Sequence, residues 1–171
     1  MEIIKKLIHL LASITYLFIT IYVLICTPIV FGHKPLVVLT GSMEPKYKVG
    51  SIIYYKKVPP QELKKGDVIS YVINNKMVSH RIENIENGLI ETKGDSNTAS
   101  DVNKIRFDNV KGKVANISIP YAGYYIRFVN ENLIPVVIVT VIILVSEFLL
   151  SNTEAFDINK NKERGEKNAR N

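Results

Sequence analysis

Residues Val37–Lys57 read VVLTGSMEPKYKVGSIIYYKK. An apolar, strand-like run breaks into Gly41-Ser42-Met43 and a proline turn at Pro45, then resumes as Ile52-Ile53-Tyr54-Tyr55. Gly41 frees the backbone there and Pro45 fixes one φ angle, so Ser42 reads either as a turn residue or as a hydroxyl held at a sheet edge. The chain beyond continues the β pattern. Short runs rich in Val, Ile and Tyr occur at Val37–Leu39, Ser51–Tyr55, Val68–Val72, Val78–Ile82, Leu89–Thr92 and Val110–Ile117. Lys65-Gly66-Asp67, Asn74-Asn75-Lys76 and Asn87-Gly88 punctuate them as turns. Helical periodicity of useful length is missing between them. The fold class predicted is therefore mainly β, a compact antiparallel domain over residues 32–132.

Two apolar stretches flank this domain. Leu10–Phe31 contains 22 residues without a charge, more than the roughly 20 a helix needs to cross a bilayer. It is longer than the apolar region of a cleavable signal, and Phe31-Gly32-His33-Lys34-Pro35 follows it where a small-residue cleavage site would stand. An uncleaved transmembrane anchor over 10–31 is expected. Leu133–Leu150 has 18 residues and one acid, Glu147; it reads as a second transmembrane helix, with a buried core helix as the alternative at that length. Tyr121, Tyr124, Tyr125 and Phe128, spaced by three and four, suit an amphipathic turn at headgroup depth. Lys5 and Lys6 place residues 1–9 in the cytoplasm by the positive-inside rule. The central domain then faces outward from the cell membrane. The polar stretch 151–171, with five Lys or Arg and four acids, becomes a cytoplasmic tail without fixed structure.

Composition narrows the function classes. With 47% hydrophobic and 22% charged residues among 171, the chain is expected to fold. Its net charge of +6 is spread among interleaved acids with no nucleic-acid motif, so nucleic acid is not an expected partner. The single cysteine, Cys26, cannot form an intramolecular disulfide.

A lone serine needs a base within hydrogen-bond reach before it is a nucleophile, and the base needs a third group to orient it. His9 and His33 lie at the two edges of the first anchor; His80 alone falls within the β-domain, in Met77-Val78-Ser79-His80-Arg81-Ile82. Strand alternation puts it on one face with Val78 and Ile82, opposite Ser79 and Arg81. It reads as a satisfied core histidine or as a neutral imidazole able to accept a proton. The candidate acids are Asp95 and Asp101, six residues apart in Lys93-Gly94-Asp95-Ser96-Asn97-Thr98-Ala99-Ser100-Asp101, which reads equally as a solvated loop. A calcium loop fails there, since Ser100 and Arg106 occupy the glycine and glutamate positions. No pair of histidines or cysteines stands at zinc-ligand spacing, so neither metal nor cofactor is expected.

Taken together, Thr40-Gly41-Ser42-Met43-Glu44-Pro45, Gly66-Asp67-Val68-Ile69, Ser79-His80-Arg81 and Gly94-Asp95-Ser96-Asn97 with Asp101 resemble, in order and spacing, the boxes of type I signal peptidases. The resemblance covers about 130 residues, from the first anchor to the second. Histidine in the third box, where the common bacterial branch has lysine, resembles the endoplasmic-reticulum, archaeal and sporulation-associated branch. The one departure within the boxes is Thr40, where many members have serine. The resemblance implies a signal-peptidase-like β-domain and Ser-His-Asp proteolysis of signal peptides of secretory preproteins, after small residues. It implies Ser42 as nucleophile, His80 as general base, Asp101 as orienting acid and Asp95 as a supporting acid or the alternative third member. On this reading backbone N–H groups of the Gly41 to Met43 turn stabilise the oxyanion, and Leu36, Val38 and their neighbours pair with an extended substrate. Met43 and the aromatic residues of Ile52-Ile53-Tyr54-Tyr55 would meet the lipid bilayer. The sequence leaves the need for partner subunits open. Two rival readings are a self-cleaving protease of related β-fold, which would use lysine and lack paired anchors, and a catalytically silent membrane-anchored β-module that binds exported proteins.

Overall fold

The computed structural model describes residues 2–169, apart from the side chains of 157, 158, 161 and 165–169. Residues Leu24–Phe128 form one compact unit, and the helical segments on either side form another.

In the central unit, seven strands make a single antiparallel sheet. They are β1 (Lys34–Val37), β2 (Ile52–Lys56), β3 (Val68–Ile73), β4 (Lys76–Glu86), β5 (Leu89–Lys93), β6 (Ile105–Arg106) and β7 (Val110–Ile119). Their order is β1-β2-β7-β3-β4-β5-β6, so the last strand enters the middle and β1 stays at an edge. Two hairpins set the register around the site. Asn74 and Asn75 (φ 49° and 59°) join β3 to β4, and Asn87 and Gly88 (φ 50° and 75°) join β4 to β5. These are the residue types that a two-residue turn with positive φ at both positions selects. The resulting pairing sets His80 opposite Ile69 and Thr92 opposite Ile82.

Three apolar clusters hold the unit. Ile69, Tyr71, Ile82, Ile90 and Ile105 with Leu63 form one; Met43, Tyr47, Ile53, Val68 and Val114 another; Ile25, Ile52 and Tyr54 a third. Burying each such aliphatic chain contributes about 1.5–3 kcal/mol. Both faces of β2 are therefore covered, Ile53 on one side and Ile52 with Tyr54 on the other. This overturns the expectation that Met43 and the aromatic residues of Ile52–Tyr55 meet the bilayer: Met43 and Tyr54 are each 3% exposed and Tyr55 is half-buried. A ten-residue helix (Ala122–Glu131) follows β7. It packs Ala122, Tyr125 and Ile126 against the third cluster and leaves Tyr124 and Phe128 exposed, as is Tyr121 just before it.

Counting helices in chain order, α1 is Glu2–Val30, α2 is Ala122–Glu131 and α3 is Leu133–Ala169. Glu2–Val30 and Leu133–Phe156 are long and apolar enough to cross a membrane. Polar groups on the two helices pair with each other. Lys5 Nζ lies 3.2 Å from Glu154 Oε1, and His9 Nδ1 lies 2.9 Å from Glu147 Oε1, which supplies a partner for the one acid of the second apolar stretch. From Ser151 to Ala169 the chain continues as helix where an unstructured tail was expected, carried on from α3 without a proline or glycine break until Gly165.

Candidate active site

Ser42 sits in a single tight turn, Gly41–Met43, closed by Glu44 N–H donating to Gly41 O at 3.0 Å. The turn is anchored from below because the Met43 side chain enters the second cluster. It is anchored from the side by the loop after β5. Ser96 N–H donates to Ser42 O at 3.0 Å and Ser96 Oγ donates to Gly41 O at 2.9 Å. Gly94 makes this approach feasible: a Cβ there would stand 2.6 Å from Ser42 O, inside any tolerable contact.

His80 projects from β4 and is 8% exposed. Its Nε2 lies 3.1 Å from Ser42 Oγ, and its Nδ1 lies 2.6 Å from Asp101 Oδ2. With the proton on Nδ1 donated to the carboxylate, the Nε2 lone pair faces the hydroxyl. The same carboxylate oxygen accepts from Thr92 Oγ1 at 2.6 Å and from Tyr71 OH at 3.0 Å. Thr92 and Tyr71 are themselves buried, at 0% and 2% exposure. Burial pushes the Asp101 carboxyl up, but the donors from Thr92, His80 and Tyr71 outweigh it and hold it below the ordinary value. Burial likewise drives the Tyr71 phenol far up, so it remains a donor. Asp101 N–H donates to Thr92 O at 2.8 Å, which pins the loop to β5.

Of the two acids singled out, Asp101 is brought to His80 and Asp95 is not. Asp95 takes both ends of the Arg81 fork, from Nε at 2.8 Å and Nη2 at 2.6 Å, while Arg81 Nη1 donates to Gly66 O at 2.8 Å. Arg81 follows His80 and points to the opposite face, so one strand serves both contacts. Leu36 and Val38, both half-buried, lie on and just beyond the edge strand β1 that leads into the turn. Gly41 and Met43 flank Ser42 in the turn, Met43 with its side chain in the cluster beneath. Thr92, Tyr71 and Thr40, whose hydroxyl stands 3.4 Å from Ser42 Oγ, are site residues not singled out beforehand for these contacts. Thr92 and Tyr71 read as ordinary strand residues, and only the cross-strand register brings them to Asp101.

A hydroxyl, an imidazole and a carboxylate in hydrogen-bonded series form the side-chain arrangement of a serine hydrolase. The chain is 39% identical over 99 residues to signal peptidase I W of Bacillus subtilis, covering 54% of this chain and 52% of that one. It thus spans about half the length of that relative. It is 32% identical over 136 residues to the signal peptidase complex catalytic subunit SEC11 of Candida albicans, covering 70% of this chain and 81% of that one. Against the SEC11 subunit of Lachancea thermotolerans it is 35% identical over 118 residues, 59% and 69% of the two chains. No family model matches it. The chain belongs to the type I signal peptidase family, in its endoplasmic-reticulum and sporulation-associated branch, and is by that membership a peptidase.

Proposed function

We propose that the protein is a membrane-bound serine endopeptidase that removes signal peptides from exported preproteins after small residues in an Ala-x-Ala-like pattern. The observation that carries the reading is the continuous series Ser42 Oγ, His80 Nε2 and Nδ1, Asp101 Oδ2 at 3.1 and 2.6 Å. Ser42 Oγ attacks the scissile carbonyl carbon while His80 Nε2 takes its proton. His80 then returns that proton to the leaving amine as the C–N bond breaks. Water, deprotonated by the same imidazole, hydrolyses the acyl-enzyme. Asp101 holds the imidazole in the tautomer that keeps Nε2 free and stabilises the cation formed in each step. Ser42 N–H, with the Thr40 hydroxyl 3.4 Å from Ser42 Oγ, is the donor set for the oxyanion.

An extended substrate has a place to lie. β1 pairs with β2 on one side only, so its other edge offers main-chain donors and acceptors that run directly toward Ser42. Alternate substrate side chains would pass Leu36 and Val38, which favours small ones. Asp95 acts here through Arg81, tying the 94–97 loop to β4. The catalytic unit lies on the extracytoplasmic side of a two-span protein in this reading. Purified full chain in detergent is expected to release the signal peptide from a preprotein, and Ser42→Ala to abolish that release at an unchanged thermal midpoint. Retained cleavage in Ser42→Ala would falsify the assignment; no cleavage by either would favour a silent β-module.

A further inference from the structure

A cleft of about 690 Å³ opens in the central unit, with His33, Lys46, Lys56, Lys64, Asp67 and Lys113 in its lining. Four ammonium groups face one carboxylate. Lys113 Nζ pairs with Asp67 Oδ1 at 2.8 Å, and Lys46 Nζ donates to Asn116 Oδ1 at 3.0 Å. Among the described residues no carboxylate pairs with Lys56 or Lys64. Moreover, Lys56 and Lys113 are direct cross-strand partners in the β2/β7 register. Like charges set opposite each other destabilise a strand pair. Asp67 offsets Lys113, and an anion in the cleft would supply the matching counter-charge to Lys56. Burial, and then the charge of Arg81, pushes the Lys46 ammonium below its ordinary value.

The cleft also has a defined place along the chain. His33 follows the last residue of α1, Val30, by three positions, and its Nδ1 is buried without a hydrogen-bond partner. Lys56 runs back over the same exit: its Cε lies 3.7 Å from where a Cβ at Gly32 would stand. A chain leaving a membrane span passes through the headgroup layer within its first residues. The group met there that suits several lysines and an unpartnered imidazole nitrogen is a phosphate.

We propose that this cleft binds the headgroup phosphate of an anionic phospholipid in the leaflet from which α1 emerges. The inference rests on α1 being a membrane span and does not depend on the proteolytic chemistry. Lipid bound there seats the β-unit on the membrane surface and supplies the counter-charge that Lys56 and Lys64 lack.

The test is calorimetric titration of the full chain in nonionic detergent with dioctanoyl phosphatidylglycerol, dioctanoyl phosphatidylcholine and inorganic phosphate. Saturable binding of phosphatidylglycerol is expected, weakened by salt, with the choline lipid at least tenfold weaker. Replacing two exposed lysines, Lys56→Gln with Lys64→Gln, is expected to weaken it by about 30-fold. The thermal midpoint without lipid verifies that this variant is folded. Ser42→Ala is expected to bind like the parent, so a failure of the peptidase reading leaves this result standing, and an active enzyme that ignores the lipid overturns this proposal alone. Equal affinity for the two lipids, or equal affinity in the double variant, overturns it. Inorganic phosphate binding as tightly as phosphatidylglycerol assigns the cleft to free phosphate and overturns the lipid source. Tight binding of hexaglutamate without lipid binding reassigns it to an acidic protein partner.

Discussion

Asp101 and Asp95 carry the same side chain six residues apart, yet one accepts from an imidazole and the other from a guanidinium. Exchange of each for its amide should therefore have different consequences. Asp101→Asn keeps the volume but presents N–H₂ or C=O to His80 Nδ1 and so favours the wrong tautomer. Turnover is expected to fall by about 10⁴-fold, the size of the effect in the chymotrypsin triad, with the fold retained. Asp95→Asn loses a bidentate charge-assisted pair worth about 1.5–3 kcal/mol, so the thermal midpoint falls further than the rate. Cleavage rate and midpoint for both variants decide it: loss of cleavage at an unchanged midpoint in Asp95→Asn, with Asp101→Asn active, would reverse the roles. Asp101 has a second signature. Its folded pKa lies below the unfolded one, so its contribution to stability is present above about pH 4 and is lost as pH falls through the folded value. Midpoint against pH is expected to drop below about pH 4 less steeply in Asp101→Asn than in the parent.

Elements, more than single side chains, decide how well Ser42 is aimed. The turn at Gly41–Met43 is held by the loop after β5 through Ser96 and through the close approach of Gly94 to Ser42 O. In Gly94→Ala the new methyl meets that backbone oxygen and the Asn97 side chain, so loop and turn must separate. An ångström of displacement is enough to cost about 10²-fold in turnover. Gly88→Ala is the matched control: its site is open, φ is 75°, and a loss of about 1–2 kcal/mol without a change in turnover is expected. Rates and midpoints of the pair separate positioning from plain destabilisation. The same elements divide what is legible in the sequence from what is not. A period of two was enough to put His80 with Val78 and Ile82, and Asn-Asn and Asn-Gly marked both hairpins, because those signals are local. The contacts of Thr92 and Tyr71 with Asp101 depend on register across three strands, which no local pattern states. β1 begins at Lys34, ahead of the apolar run at Val37–Leu39, because pairing with Ile52–Tyr55 fixes it there while Val38 onward bends into the turn. Met43 read as a turn residue, and it is the cluster beneath the turn that draws it inside.

At the scale of the whole chain the remaining question is orientation, and the charges bear on it unequally. Lys5 and Lys6 stand directly before the first apolar span, and Lys160, Lys162, Arg164, Lys167 and Arg170 follow the second. The roughly 100 residues between the spans exceed the length over which loop charge orients a helix, so their lysines count for little. The topology proposed above puts both ends on the cytoplasmic side and the β-unit on the other, where exported chains emerge. The paired polar groups agree with helices that run side by side in opposite directions: Lys5 meets Glu154 and His9 meets Glu147, joining the start of one span to the end of the other. The His9–Glu147 pair also gives the one acid within the second apolar stretch a partner. With an epitope tag at each terminus, protease added to intact cells is expected to degrade the central unit and leave both tags protected until the membrane is permeabilised. Digestion of either tag from outside would overturn the two-span arrangement. Loss of the N-terminal tag would place the β-unit in the cytoplasm, away from its proposed substrates; loss of the C-terminal tag alone would make α3 a surface helix and leave the chemistry at Ser42 untouched.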